Sequence, residues 1–244
     1  MRLTRLHVEA PLAVGARLAL PAMAAGHLLR VLRAKPGDAC VLFNGDGHDY
    51  DARIVAAGRN DADVEILAAR AVGSESPLRI VLLQALARGE KMDWILQKAT
   101  ELGVAAIVPV ASERSEVRLD GERAGKRVAH WRSVVVAACG QSGRATVPAV
   151  AAPCPLPEAM PGLPADARRL LLDPQAVQGL RMLDVAIGGI VLAIGPEGGW
   201  SGRDLATLRG NGFEGLRLGP RVLRTETAGI AAIAALQARH GDFA

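Results

Sequence analysis

The sequence predicts an α/β protein that begins with a small β-barrel and continues into a larger domain with a parallel sheet. The first seventy residues contain short β-rich runs separated by hairpin turns. From Leu78 onward, candidate strands alternate with candidate helices. In Ile190–Trp200 (IVLAIGPEGGW), a short apolar run leads directly into a glycine- and proline-rich loop. That pattern is typical of a buried strand that ends at a ligand pocket, although an ordinary strand-to-helix turn would contain the same residue types.

The N-terminal part, residues 1–72, is expected to be a meander of strands that closes into a barrel. Its candidate strands are Gly15–Leu20, Ala39–Phe43, Tyr50–Ala56 and Asp63–Leu67. His27–Arg33 fits one short helix whose inward face would consist of Leu28, Val31 and Leu32. Arg30 and Arg33 of this helix are candidates for a basic, RNA-binding edge, and a solvated helix face is the simpler explanation of the same charges.

The second part, residues 73–244, follows a linker at Gly73–Pro77 (GSESP). The predicted strands are Leu78–Leu86, Val104–Val110, Leu170–Leu172, Ile190–Ile194 and Gly215–Leu218. The predicted helices are Met92–Leu102, Arg123–Cys139, Gly202–Arg209 and Ala228–His240. Ser201–Asp204 has the form of a capping box at a helix start. The proline-rich segment Pro148–Pro164 is expected to be a surface connection.

Composition and charge exclude several classes of protein. The net charge is +4 and the pI is about 9.3, which favours a polyanionic partner without requiring one. Three cysteines without a CxxC pair predict a reducing compartment and no zinc site. We expect a cytoplasmic protein, because no signal peptide is evident and no apolar run approaches the ~20 residues of a membrane span.

Three predicted strands end in a proline-containing loop, and their ends should meet at one edge of the sheet. These loops begin at Asp173-Pro174, Gly195-Pro196 and Gly219-Pro220. Backbone groups in such loops can hold an adenine edge or a ribose without a charged anchor. The common dinucleotide and P-loop motifs are not found in the sequence.

Few side chains near this predicted pocket could carry chemistry. The nearest ionisable residues are Glu197, Arg224 and Glu226. Arg224 could polarise a carbonyl oxygen, or it could form a surface ion pair. Glu226 falls in the first turn of the last helix, where the helix dipole alone would favour a carboxylate. Thr225 is the expected N-cap of that helix, and Thr227 could do similar capping.

Several basic residues lie in other predicted loops, where positive charge can meet phosphates. They are Arg88, Lys91, Arg114, Arg118 and Arg144, with Ser142 beside the last of them. Each is weak evidence alone, because a solvated surface explains a single charge equally well.

Taken together, these motifs resemble the RsmE family of ribosomal RNA methyltransferases, within the SPOUT superfamily. The resemblance runs nearly end to end. It rests on RGEKM at 88–92, QK at 97–98, ELG at 101–103, SER at 112–114 and QSGR at 141–144, and most strongly on IGPEGG at 194–199 and LGPRVLRTET at 218–227. One departure is Gly140, which stands where many relatives have Glu, so a carboxylate there has no role in this chain.

The resemblance implies a PUA-like RNA-binding barrel over 1–72 and a SPOUT methyltransferase domain with a C-terminal trefoil knot over 73–244. It implies S-adenosyl-L-methionine as cofactor, a homodimer formed through the C-terminal domain, and methylation of uracil N3 at one position of 16S rRNA in the small ribosomal subunit. The implied cofactor residues are Leu172, Ile194, Gly195, Pro196, Glu197, Gly198, Gly199, Leu218, Gly219, Leu223, Arg224, Thr225 and Thr227. Catalysis would fall to Arg224, with Glu197 as the base and Glu226 as the reserve.

Two alternatives remain open from the sequence. A knotted RNA methyltransferase could act on another target, such as a ribose 2′-hydroxyl. A non-catalytic ribosome-assembly factor could use the barrel and the basic loops to bind RNA. Detectable binding of S-adenosylmethionine separates the second alternative from the enzymatic ones.

Overall fold

The computed structural model describes residues 3–115, 121–184 and 188–243. They form two compact units, of which the first comprises 1–75 and 136–147 and the second comprises 76–135 and 148–244. The C-terminal part of one long helix therefore belongs to the first unit. A single boundary between residues 72 and 73 would assign that part of the helix to the second unit. Among the described helices, none is long and apolar enough to cross a membrane.

The first unit is built on a five-stranded mixed sheet with the order β1-β3-β4-β5-β2. Its strands are β1 (Arg5–His7), β2 (Arg17–Ala19), β3 (Ala39–Phe43), β4 (His48–Ala57) and β5 (Ala62–Ala71). The predicted meander is confirmed in β3, β4 and β5, which pair antiparallel. Strand β1 was not predicted, because three residues are too few to show an alternating pattern. It pairs parallel to β3.

The short N-terminal helix differs from its prediction. Helix α1 spans Ala22–Gly26 and continues as a π-helical turn over His27–Val31. Leu28 is buried as expected, but Val31 and Leu32 are 66% and 44% exposed, so their predicted inward orientation is wrong. The wider π turn moves both side chains off the face that an α-helix would have given them.

A buried arginine network organises the first unit near Gly140. The Arg5 guanidinium contacts Asp49 Oδ1 at 2.5 Å and donates to the carbonyl oxygen of Cys139 at 2.8 Å. A Cβ at Gly140 would lie 3.6 Å from the carbonyl oxygen of Arg5, an ordinary contact. The position can therefore hold a first side-chain atom, and backbone crowding does not explain the glycine.

The second unit is built on a parallel sheet with the order β12-β10-β11-β6-β7-β8. Its strands are β6 (Ile80–Ala85), β7 (Ala106–Ala111), β8 (Ala149–Val150), β9 (Cys154–Pro155), β10 (Arg168–Leu172), β11 (Ile190–Ile194) and β12 (Glu214–Leu216). Every residue of β6 and β11 is buried. Their apolar runs, interrupted in β6 by the buried Gln84, therefore belong to a sheet covered on both faces.

The helices of this part of the chain are α2 (Glu90–Glu101), α3 (Gly121–Ser142), α4 (Leu156–Ala159), α5 (Gly202–Gly210) and α6 (Thr225–His240). The sequence predicts α2, α3, α5 and α6, but not α4. Ile95, Leu96 and Ala99 form the buried face of α2. Gly103, which follows the end of this helix, has φ of 84°, the left-handed conformation in which helices often end. Trp131 of α3 is 2% exposed and belongs to the core.

The proline-rich segment is not the predicted surface connection. Within Pro148–Pro164, β8 and β9 pair with β7, and α4 buries Leu156. Met160 and Leu163 are also buried, at 5% and 6% exposure. The prolines concealed these elements, because each strand has only two residues and proline is normally a sign of a loop.

Candidate active site

A cavity of about 620 Å³ lies at the carboxyl ends of β10, β11 and β12. The three proline-containing loops predicted to converge there all line it, and the prediction is confirmed. Strands β10 and β11 are hydrogen-bonded neighbours, as are β10 and β12, which places the loops side by side. The volume of the cavity lies within the ~300–1,000 Å³ range of small-molecule sites.

The loop after β11 forms one wall through a tight turn. The Gly199 N–H donates to the carbonyl oxygen of Pro196 at 2.9 Å, and Gly199 has φ of 67°, a conformation that favours glycine. The predicted capping box then starts α5. The Asp204 N–H donates to Ser201 Oγ at 3.0 Å, and the Ser201 N–H donates to Asp204 Oδ2 at 3.0 Å.

The start of α6 forms the opposite wall, and Thr225 joins the two. The Thr225 hydroxyl donates to the carbonyl oxygen of Gly195 at 2.6 Å and accepts from Gln84 Nε2 of β6 at 3.2 Å. Helix α6 begins three residues before the predicted start, with Arg224 at the N-cap position. The expectation that Thr225 caps the helix is therefore wrong. Its buried hydroxyl bonds across the sheet edge.

Lys91 lies between the two acidic residues of the site. Lys91 Nζ donates to Glu197 Oε1 at 3.0 Å and lies 3.8 Å from Glu226 Oε2. The backbone N–H of Arg88 also points at Glu197 Oε1, at 3.5 Å. Burial raises the pKa of Glu197, but the Lys91 and backbone hydrogen bonds outweigh that effect, and the pKa lies below its ordinary value. Glu197 is therefore a carboxylate at neutral pH.

Every predicted cofactor residue except Thr227 lines the 620 Å³ cavity. Thr227 lies outside it and lines two neighbouring cavities. Arg224 and Glu197 line the cavity, while Glu226 lies across Lys91 from it. Several further residues line the cavity that were not predicted as cofactor contacts, although Asp173 and Pro174 belong to a loop predicted to converge there: Lys91, Asp173, Pro174, Trp200, Leu205, Arg217, Arg221, Val222 and Ala228.

The residues predicted to bind RNA have different surroundings. Arg30 and Arg33 are exposed on the first unit. Arg88 and Arg114 are exposed on the second unit, and the Arg114 guanidinium donates to the carbonyl oxygen of Gly198 at 3.0 Å. Lys91 is engaged with the two glutamates.

Two of the predicted RNA residues lie together at the end of α3, and one is not described. Arg144 is 3% exposed and forms a bidentate ion pair with Glu75. In the structure Arg144 therefore serves a buried ion pair, and its contact with RNA stays a prediction. Ser142 is half-buried, and its hydroxyl has no hydrogen-bond partner among the described residues. Arg118 lies outside the described residues.

Comparison with known proteins identifies the family. A family model for the RNA methyltransferase domain matches residues 74–237, and one for the RNA methyltransferase PUA domain matches residues 24–67. The ribosomal RNA small subunit methyltransferase E of Buchnera aphidicola is 31% identical over 242 residues, which cover 99% of this chain and 98% of that protein. The chain belongs to the ribosomal RNA small subunit methyltransferase E family.

Solved structures of similar proteins agree with the family assignment. The methyltransferase E of Neisseria gonorrhoeae, solved with bound S-adenosyl methionine, is 42% identical and has a TM-score of 0.95 over all of both chains. A methyltransferase of Legionella pneumophila, also solved with its cofactor, is 38% identical and has a TM-score of 0.95. The similarity covers 99% of this chain and 100% of the Legionella protein.

Proposed function

We propose that this protein transfers the methyl group of S-adenosylmethionine to N3 of one uridine of 16S rRNA in the small ribosomal subunit. The observation that carries the proposal is the cavity at the ends of β10, β11 and β12, lined by the predicted motif residues in a chain of this family. The proposed division of labour is an RNA-binding PUA domain over 1–72 and a methyltransferase domain with the expected knot over 73–244.

The lining of this cavity fits S-adenosylmethionine. Leu172, Ile194, Leu218 and Leu223 supply apolar walls for an adenine ring, and the glycine-rich loop offers backbone donors and acceptors. Trp200 also lines the cavity, and its Nε1 is buried without a hydrogen-bond acceptor among the described residues. A ligand with acceptor atoms would satisfy that donor. When bound, the cofactor supplies an electrophilic methyl group.

The residues beside the cavity suit the chemistry of uracil. Uracil N3 carries a proton and becomes a good nucleophile only when that proton leaves. Glu197 and Glu226 are the candidate acceptors, and the lowered pKa of Glu197 keeps it in the basic form. The lowered pKa also makes Glu197 a weaker base, and Glu226 is the reserve acceptor. Arg224 would stabilise negative charge that develops on the uracil carbonyl oxygens.

The remaining assignments concern RNA, assembly and location. Arg30 and Arg33 of the first unit, and Arg88 and Arg114 of the second, are proposed to contact phosphates. A homodimer is proposed to form through α6, whose Ala231 is half-buried in the described chain. Ala231→Glu should therefore weaken self-association, and a variant that still sediments as a dimer would contradict this. A cytoplasmic location follows from a ribosomal substrate.

One experiment tests the proposed activity. Purified small subunits that lack the modification are incubated with the protein and labelled S-adenosylmethionine, and the rRNA is digested to nucleosides. The proposal predicts label in 3-methyluridine. Label in a 2′-O-methylated nucleoside would assign a different target, and cofactor binding without any transfer would favour a non-catalytic role in assembly.

A further inference from the structure

A second cavity, of about 690 Å³, opens beside the cofactor cavity within the second unit. Residues of α2, α3 and the first turn of α6 line it: Glu90, Lys91, Asp93, Trp94, Gln97, Val134, Glu226 and Thr227. Lys91 lines both cavities, and its contact with Glu226 marks the place where they adjoin. A group held in the second cavity is therefore next to the cofactor cavity.

We propose that this second cavity receives the target uracil base, with Trp94 as its stacking surface and Gln97, Lys91 and Glu226 on its hydrogen-bonding edge. The inference rests on the proposed function and adds the place where the base is held. An enzyme that modifies a base edge needs that base unstacked from its neighbours, and it must offer the base a replacement for the lost stacking.

Trp94 is the exposed tryptophan among the three in the chain. Its exposed fraction is 45%, whereas Trp131 and Trp200 are 2% and 9% exposed. Leaving a large apolar ring in water forgoes the free energy that burial would give it. An exposed indole that lines a cavity is suited to stack on a base, as aromatic side chains do in single-strand binding proteins.

The polar residues of the cavity match the edge of uracil. That edge presents a carbonyl oxygen, the N3–H donor and a second carbonyl oxygen. The Gln97 amide and the Lys91 ammonium are donors for the two oxygens, and the Glu226 carboxylate is an acceptor for N3–H. Glu226 Oε2 is buried and has no hydrogen-bond donor among the described residues. Because the terminal torsion of a glutamate is soft, a small rotation can turn an oxygen toward a base.

The charge of the cavity selects for a neutral base over a phosphate. Its lining contains the carboxylates of Glu90, Asp93 and Glu226 against the single ammonium of Lys91. A phosphate dianion would be repelled by this excess of negative charge. In the described part of the chain, no group of three or more His, Cys, Asp or Glu side chains is arranged to hold a metal ion. A neutral ligand with a hydrogen-bond donor is the chemical class that fits.

The test compares Trp94→Ala and Trp94→Phe with the unmodified protein on small subunits that lack the methyl group. We expect Trp94→Ala to lower kcat/KM for subunits by roughly 10- to 100-fold, the range that lost base stacking gives, while Trp94→Phe keeps most of the activity. The Kd for S-adenosylmethionine, measured by calorimetry, should change by less than about twofold. Gln97→Ala should lower kcat/KM in the same assay and leave cofactor binding unchanged.

A matched control lies on the same helix. Lys98, one residue beyond Gln97, pairs with Glu101 and lines neither cavity, so Lys98→Ala should retain the unmodified kcat/KM. Unchanged kcat/KM in Trp94→Ala would overturn the inference. A lower kcat/KM would also overturn it if the variant binds the cofactor more weakly in calorimetry or no longer self-associates in sedimentation. If the unmodified protein itself transfers no methyl group to subunits, the proposed function fails instead.

Discussion

The hydroxyl of Thr225 holds the two walls of the cofactor cavity together, and removing it should destabilise the second unit measurably. Thr225→Val keeps the shape of the side chain but deletes the hydrogen bonds to Gly195 and Gln84. Thr225 is 6% exposed, so water cannot replace these bonds. At about 1 kcal/mol for each net hydrogen bond, the variant should lose roughly 2 kcal/mol. For a chain of this size, that corresponds to a fall in Tm of about 4–8 °C.

The measurement is thermal unfolding of the unmodified protein beside three variants. Thr225→Ser keeps the hydroxyl and should retain most of the stability. Thr227→Val removes a hydroxyl from an exposed residue two positions further along α6 and should leave Tm within about 1 °C, as surface substitutions usually do. If Thr225→Val melts with the unmodified protein, the hydrogen bonds across the cavity do not stabilise the fold as argued.

Three further predictions concern the mechanism and the backbone. Arg224→Ala should abolish methylation with unchanged Tm, and full retained activity would remove Arg224 from the mechanism. Gly103→Ala should cost about 1 kcal/mol or more because Gly103 has φ of 84°, whereas Gly125→Ala, in open space within α3, should gain about 0.5–1 kcal/mol; equal shifts would contradict this. Lys91→Met should raise the pKa of Glu197, as followed by NMR of its carboxyl carbon. An unchanged pKa would contradict the claim that the Lys91 ammonium lowers the pKa of Glu197.

The same pair gives stability a defined pH dependence. Because the folded pKa of Glu197 lies below the ordinary value of 4.5, ionisation of Glu197 favours the folded state. That contribution is complete above pH 4.5 and is lost as the pH falls through the lower, folded value. Lys91→Met should reduce this acid-dependent loss, since it removes the cation that lowers the pKa.

Continuous apolar runs and paired motifs made most of the second unit predictable. The strand Ile190–Ile194 has the predicted bounds, because five buried residues lie between a glycine and a Gly-Pro turn. The convergence of the three loops also followed from sequence, since parallel strands of one sheet end at a common edge. These are features that neighbouring residues determine.

What the sequence missed depends on contacts between distant residues. Threonine is a common N-cap residue, but the Thr225 hydroxyl donates a hydrogen bond to the carbonyl oxygen of Gly195, thirty positions away. Lys91 was assigned to RNA as an isolated basic residue, and only the fold brings it to Glu197, 106 positions away. Arg144 was assigned in the same way, and its partner Glu75 lies 69 positions away. A charge in a sequence does not reveal whether it is paired.

Removing this protein from cells tests most directly the central claim that it methylates N3 of one uridine of 16S rRNA. Nucleoside mass spectrometry of small-subunit rRNA is compared between cells with and without this protein. The account predicts that one 3-methyluridine disappears, that the unmodified chain restores it and that Arg224→Ala does not. An unchanged 3-methyluridine content in cells lacking the protein would contradict the account.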